Sequence, residues 1–169
     1  MKKYELTDDT ITVGGRILHR IKALKSFSDV EEGDPGGYVE KEDNLDHSGE
    51  AWVSGNARVY GNAWVYGNAR VYGNARVYGN ARVSGDARVS GDARVSGEND
   101  YAAAKGFGRE YRTTTFFRLK DGGIGVRCGC FYGTLDEFRK KVKETHKESK
   151  LGKEYLMLAD LMEYKFKNE

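Results

Sequence analysis

The sequence predicts a mainly β protein built around a parallel β-helix of about three coils, with a β cap before it and a β-hairpin and two helices after it. Three observations lead to this prediction. A six-residue phrase repeats through the middle of the chain, as in "NARVYGNARVYGNARV" over residues 68–83. Short β-type segments with Gly-rich turns precede the repeat, and two amphipathic helical patterns follow it. The predicted parts are residues 1–44, 45–100 and 101–169.

The repeat has a period of six, which fits a short strand followed by a turn and does not fit a helix of about 3.6 residues per turn. Ala and Val lie two residues apart in each copy, so they share one face of the strand. That face must be the inner one, because the residue between them is usually Arg, which cannot be buried unpaired. Gly and Asn form the corners, since both tolerate positive φ. Three strands and three corners give an 18-residue coil, with eight near-perfect copies from Ala51 onward and a degenerate one at 45–50.

Each copy places Gly two positions after an aliphatic residue and a small residue four positions after it, as in Val59-Tyr60-Gly61-Asn62-Ala63. This signature resembles that of the hexapeptide-repeat family. The resemblance implies a left-handed β-helix, a homotrimer, ligands in clefts between subunits, and acyl transfer as the best-known activity. The first 50 residues or so, with "KYELTDDT" and "LKSFSDVEEGDPGGYVEKEDNLDHSG", are similar to the start of hexapeptide-repeat proteins of unknown function from enterobacteria and bacteriophages. The tail resembles the end of phage proteins of the same type.

The N-terminal segment is expected to close one end of the coil. Residues 11–13, the turn Gly14-Gly15 and the stretch "RILHRIKAL" predict a hairpin. Residues 31–39, "EEGDPGGYV", predict a tight Gly-rich connection. An open β-helix end exposes unpaired backbone and core, so we expect residues 1–44 to cap it.

The C-terminal segment predicts a hairpin around Asp121-Gly122-Gly123 and two helices. Thr134 and Glu137 have the spacing of a capping box at the start of the first helix, and the second helix spans about residues 151–166. The apolar positions are Leu135, Phe138 and Val142 in the first helix and Leu151, Tyr155, Leu158 and Met162 in the second. A segment of this size has a marginal core, so we expect it to pack on the β-helix or on another subunit.

The composition narrows the class of protein. The chain is 38% hydrophobic and 32% charged with a net charge of +2, which argues against a dedicated nucleic-acid binder. No apolar run approaches the ~20 residues of a membrane span, and the N-terminus lacks the apolar region of a signal peptide. We therefore expect a cytoplasmic protein, in the host cytoplasm if a phage encodes it, with neither a membrane nor a nucleic acid polymer as partner.

The outward residues of the repeat form the candidate ligand-binding site. Residues 18 apart stack on one face of the coil, so Arg, Tyr and Trp form ladders. A row of Arg side chains ~5 Å apart is unfavourable without anions or acidic partners, and guanidinium and aromatic planes hold phosphates and bases. A purely structural role for the ladders stays open. The candidates are Trp52, Arg58, Tyr60, Trp64, Tyr66, Arg70, Tyr72, Arg76, Tyr78 and Arg82, with Arg109, Arg112 and Arg118 of the tail as equal alternatives.

Candidate catalytic and metal-binding groups are few. Acyltransferases of the resembled family use a His base, often with a loop inserted between coils, and this repeat has no inserted loop. His47 takes an inward position in the first coil, where a capping role is expected, and His19 and His146 show no partner in the sequence. Cys128 and Cys130 would share one face of a strand and supply only half of a zinc site, so two buried structural cysteines are expected.

These observations favour a non-enzymatic binding protein without cofactor or metal. The expected ligand is a small anion held between the subunits of a homo-oligomer, which the resemblance implies is a trimer. In the boldest version the protein is a sponge that sequesters a nucleotide second messenger of host antiviral defence. A hexapeptide-repeat acyltransferase-like enzyme and a structural or assembly protein are the alternatives.

Overall fold

The computed structural model describes residues 1–167 and shows a three-turn β-solenoid between two flanking units. The strands before the solenoid are β1 (Tyr4–Val13), β2 (Arg16–Ala23) and β3 (Pro35–Val39). The solenoid strands are β4 (Trp52–Val53), β5 (Arg58–Val59), β6 (Trp64–Val65), β7 (Arg70–Val71), β8 (Arg76–Val77), β9 (Arg82–Val83), β10 (Arg88–Val89) and β11 (Arg94–Val95). After them come β12 (Tyr101–Phe107), β13 (Arg112–Arg118), β14 (Ile124–Cys128), β15 (Phe131–Thr134), α1 (Leu135–His146) and α2 (Lys150–Lys165).

The solenoid strands stack in parallel with a register of 18 residues, as the repeat predicts. Trp52 pairs with Arg70 and Arg70 with Arg88, and the other two faces follow the same rule. Backbone hydrogen bonds join the coils, for example from the Arg58 amide to the Ala75 carbonyl at 2.9 Å. Every Ala and Val of the eight repeats, from 51 to 95, is buried. The predicted inner face is therefore confirmed.

The N-terminal hairpin is confirmed, and β1 is longer than predicted. One prediction for this region was wrong: residues 35–39 are not a connection but the strand β3, which pairs antiparallel with β2 and parallel with β5. A single sheet in the order β1-β2-β3-β5-β8-β11 therefore runs from the cap into the solenoid. Gly36 permits this junction, because a Cβ there would lie 2.4 Å from the Ile21 side chain and 2.7 Å from the Val53 carbonyl oxygen.

The cap closes the first coil with buried polar side chains. The Tyr4 hydroxyl donates to the Leu45 carbonyl at 2.7 Å, and the Lys3 ammonium donates to the Ala51 carbonyl at 2.7 Å. His47 lies in this capping layer, with its ring stacked on Tyr4 at a centroid distance of 4.2 Å. The Tyr4 hydroxyl and the Lys3 ammonium satisfy carbonyls that a further coil would otherwise have paired.

The C-terminal unit is a four-stranded antiparallel sheet in the order β12-β13-β14-β15, with α1 and α2 packed on it. The predicted hairpin is present as β13 and β14, but β12 and β15 on either side of it were not predicted. Both helices are confirmed. The Thr134 hydroxyl accepts from the Glu137 amide at 3.2 Å, which is one half of the predicted capping box.

This sheet closes the second end of the solenoid. The Arg88 amide donates to the Thr115 hydroxyl, and the Lys120 amide donates to the Asp92 carbonyl, both at 2.9 Å. Phe117 of β13 is buried in the same apolar cluster as the solenoid Ala and Val side chains. The C-terminal unit thus packs on the β-helix within one chain. Within residues 1–167, no helix is both long enough and apolar enough to cross a membrane.

Candidate anion-binding site

The sheet through β5, β8 and β11 carries one complete ladder. Arg58, Arg76 and Arg94 lie in register, and no carboxylate within residues 1–167 lies within 4.0 Å of their guanidinium nitrogens. Burial and the neighbouring charge of Arg76 lower the pKa of Arg94. Tyr60 and Tyr78 stack beside this row with ring centroids 5.3 Å apart. This face therefore has the Arg and Tyr columns that the repeat predicts.

The other two faces differ from this arrangement. On the β6–β9 face, Trp64 stacks on Tyr66 at 4.0 Å and Arg82 is exposed. On the β4–β7–β10 face, Trp52 lies in register with Arg70 as the ladder predicts, but only 4% of its surface is exposed. The cap covers it, with the Phe27 ring packed edge-on at 5.4 Å.

The β4–β7–β10 face also forms the floor of a cavity of about 700 Å³. The C-terminal sheet forms one wall, and the tip of the cap turn at Ser28 contributes to the rim. Two carboxylates, Glu50 and Asp86, lie among its lining residues. Its cationic lining residues are Arg70 and Arg88 from the solenoid and Lys105, Arg112 and Arg127 from the C-terminal unit.

Two of these five cations are paired. Arg70 binds Asp29 of the cap turn at 2.8 Å, and Lys105 binds Asp86 at 3.3 Å. In the part of the chain that the structure describes, no carboxylate lies within 4.0 Å of the charged nitrogens of Arg88, Arg112 or Arg127. Three guanidinium groups from two separate units thus share one cavity, and none of them forms an ion pair with a carboxylate of residues 1–167.

Arg127 is the most constrained of the three. Its guanidinium carbon lies 5.6 Å from the centre of the Tyr72 ring, and its Nε is buried without a hydrogen-bond acceptor among residues 1–167. The Tyr72 hydroxyl is likewise buried and unpartnered within that range. The contact with the Tyr72 ring thus holds the Arg127 guanidinium in place at the cavity wall.

The predicted candidates divide among these places. Of the ten ladder residues, Arg70 lines the cavity and Tyr72 lies beneath Arg127, while the others lie on different faces or under the cap. Of the three tail alternatives, Arg112 lines the cavity. Arg118 instead pairs with Asp100 at 3.0 Å, and Arg109 lines a smaller cavity of about 220 Å³.

Three cavity cations were missing from the predicted set. The 18-residue rule places Arg88 in the same ladder as Arg70, although it is not among the ten chosen candidates. Lys105 and Arg127 lie in strands without a repeat, so no periodicity marks them.

The histidines lie apart from this cavity. The His19 Nδ1 is 3.0 Å from the Thr7 carbonyl oxygen within the cap hairpin, and His47 belongs to the capping layer. His146 ends α1, with its ring 5.6 Å from that of Tyr155. No group of three or more His, Cys, Asp and Glu side chains within residues 1–167 is arranged to hold a metal ion.

The prediction of two buried cysteines on one strand face was wrong. β14 ends at Cys128, and Gly129, with φ +58°, turns the chain so that Cys130 is exposed at the cavity. Cys128 is half-buried, and the Thr114 hydroxyl donates to its sulfur at 3.3 Å. Burial and the adjacent Cys128 thiol raise the pKa of Tyr155 well above its usual range.

Comparison with known proteins supports the repeat architecture. The family model described as the YdcK beta solenoid repeat matches residues 51–67, 64–76 and 75–87. None of the curated proteins matches the chain. The matched residues lie within the three stacked coils, where each Ala and Val of the repeat is buried. The repeat match and the observed coils together identify the chain as a β-solenoid repeat protein.

Proposed function

We propose that this β-solenoid protein binds a small anionic ligand in the cavity between its β4–β7–β10 face and its C-terminal sheet. The observation that carries the proposal is the convergence of Arg88, Arg112 and Arg127 on one cavity, where no carboxylate of residues 1–167 lies within 4.0 Å of their charged nitrogens. Like charges held close together in a partly enclosed space repel one another. An anion placed between them removes that repulsion and accepts charge-assisted hydrogen bonds from the guanidinium groups.

The cavity suits a phosphate-bearing ligand of nucleotide size. Its volume of about 700 Å³ falls within the range of small-molecule sites. The guanidinium fork matches the oxygens of a phosphate group, to which it binds through two parallel hydrogen bonds. Aromatic rings are missing from the lining residues within the described chain, so phosphate contacts rather than base stacking would supply most of the affinity.

The finer form of the proposal is a non-enzymatic sponge in the cytoplasm of an infected host. There the protein would sequester a nucleotide second messenger of antiviral defence. The support is the resemblance of the flanking segments to phage proteins and the phosphate-binding chemistry of the cavity. Sequestration needs tight binding without turnover, so the ligand would be recovered unchanged.

A second candidate site is a cleft between the subunits of a homotrimer. The specific observation that favours it is the unpaired row of Arg58, Arg76 and Arg94 beside the stacked Tyr60 and Tyr78. This face offers both guanidinium and aromatic planes, a combination that holds bases as well as phosphates. The two sites are distinguished by which arginine is required for binding.

The test is titration calorimetry and thermal unfolding of the purified chain with a panel of anions. The panel contains tripolyphosphate, cyclic mono-, di- and trinucleotides, ADP-ribose and acetyl-coenzyme A. A ligand at 100 times its dissociation constant should stabilise the protein by about 2.7 kcal/mol. Chromatography of the recovered ligand separates binding from turnover. If no member of the panel binds, the proposal is wrong.

Charge reversal locates the site. Arg88→Glu should weaken binding at least about ten-fold, because one charge-assisted hydrogen bond contributes about 1.5–3 kcal/mol. Arg82→Glu is the matched control, since Arg82 holds the same position in the preceding repeat and is exposed on another face. Arg76→Glu should leave the affinity of the cavity for the ligand unchanged. If Arg76→Glu loses binding while Arg88→Glu retains it, the ligand binds in the cleft between subunits and not in the cavity.

A further inference from the structure

The cavity floor carries a column of Arg residues and, parallel to it, a column that contains two carboxylates. Arg70 and Arg88 form one column, in register on adjacent coils. Two residues before them in each coil lies the corner column of Glu50, Asn68 and Asp86, spaced 18 residues apart. The Asn68 side-chain amide donates to an Asp86 carboxylate oxygen at 3.4 Å, which joins two members of the corner column. Both columns line the same cavity.

The corner column contains a carboxylate without an ion-pair partner. Glu50 is exposed and has no cationic nitrogen within 4.0 Å among residues 1–167, although it lines a cavity with five cations. Asp86 contacts Lys105 through Oδ2 and Asn68 through Oδ1, and 45% of its side chain remains exposed. An ionised carboxylate has about four acceptor positions, so both groups can accept further hydrogen bonds from a ligand.

This arrangement restricts the ligand. A ligand made only of phosphate groups would fill the Arg side and meet repulsion from Glu50 and Asp86. A ligand with an ammonium group would meet repulsion from Lys105 and the four arginines. A neutral hydrogen-bond donor avoids both, and the hydroxyl groups of a sugar are such donors. Carboxylates that accept hydrogen bonds from ribose hydroxyls are a recurring feature of nucleotide sites.

We propose that the ligand is a phosphorylated polyol of the ribose phosphate class. Its hydroxyl groups donate to Glu50 and Asp86, and its phosphate binds Arg88, Arg112 and Arg127. This inference rests on the proposed function, because it assigns the ligand of the same cavity. It goes beyond anion binding in that Glu50 and Asp86 become specificity-determining residues, which select against ligands lacking hydroxyls.

The test compares two ligands that differ only in their hydroxyls, ADP and 2′,3′-dideoxy-ADP, by titration calorimetry on the full chain. The wild-type protein should bind ADP at least ten-fold more tightly. Glu50→Ala and Asp86→Ala, which remove the acceptor oxygens, should reduce this preference to less than three-fold, while tripolyphosphate binds as tightly as before or more tightly. Asp92→Ala is the matched control, because Asp92 occupies the corner position of the next repeat on another face and does not line the cavity.

The outcomes separate this inference from the proposed function. Equal binding of the two nucleotides, or binding of tripolyphosphate without ADP, would overturn the ribose phosphate assignment while the anion site remains. A preference for ADP that survives in both Glu50→Ala and Asp86→Ala would also overturn it, since the hydroxyls would then bind elsewhere. If tripolyphosphate and both nucleotides all fail to bind, the anion site itself is wrong.

Discussion

The corner glycines allow a matched test of how closely the coils approach one another. Gly79 and Gly85 occupy equivalent corners of consecutive repeats and have nearly the same backbone conformation, with φ of +62° and +64°. A Cβ on Gly79 would lie 2.5 Å from the carbonyl oxygen of Ser96 in the next coil, whereas a Cβ on Gly85 would meet nothing within 4 Å. The difference arises because the residue 18 positions after Gly85 lies in β12 and not in a fourth coil.

The two Ala substitutions therefore share the free-energy cost of positive φ, and they differ in the steric cost against the next coil. Ala at positive φ destabilises the folded chain by about 1–2 kcal/mol. About 0.4–1 kcal/mol of this is offset, because Ala has less conformational entropy than Gly in the unfolded chain. Gly85→Ala should thus lower the free energy of unfolding by about 1 kcal/mol. Gly79→Ala must also push two coils apart, and overpacking of this kind costs about 1–3 kcal/mol. Gly79→Ala should therefore lower the free energy of unfolding by about 2–4 kcal/mol.

Urea denaturation followed by circular dichroism measures both values. Thermal unfolding gives the corresponding Tm values. For a chain of this size 1 kcal/mol corresponds to about 2–4 °C in Tm, so the Tm of Gly79→Ala should be about 6 °C below that of Gly85→Ala. Equal losses in the two variants would refute the reasoning, because positive φ alone would then explain the requirement for glycine. A larger loss for Gly85→Ala would mean that the coils do not stack as described.

Two further predictions concern charged groups. Asp29→Asn leaves Arg70 without its carboxylate, so the anion affinity measured by calorimetry should rise about two- to five-fold, which corresponds to the free energy of an exposed ion pair. Unchanged or weaker binding would show that Arg70 does not reach the ligand. Burial lowers the pKa of Lys3 to about 8 from its ordinary value of 10.5. Between these values the unfolded chain binds the extra proton, so the free energy of unfolding should rise with pH from about 8 to 10.5. Lys3→Met should lack this rise when both proteins are denatured across the same pH series, and identical pH profiles would contradict the assignment.

The failures of sequence-based prediction in the fold have a common cause. β3 contains Pro35, Gly36 and Gly37, which are turn residues by local preference, yet it pairs with β5 about 20 residues later. β12 lacks β-branched residues and forms by pairing with β13. In both strands hydrogen bonds to a distant partner override local propensity. The burial of Trp52 has a similar cause. The repeat pattern predicts the same exposure for every coil, whereas the first coil is covered by the cap.

The sequence by itself determined the solenoid, because a six-residue period with Ala and Val two apart admits one inner face and one coil length. It also determined that Arg70 and Arg88 lie side by side, since residues 18 apart must stack. Only the tertiary structure decided where the candidate site lies. Arg112 and Arg127 reach those two side chains because the C-terminal sheet docks on one particular face of the coil. That choice depends on contacts such as Thr115 with Arg88 and Phe117 with the solenoid core, which join residues without any shared pattern in the chain.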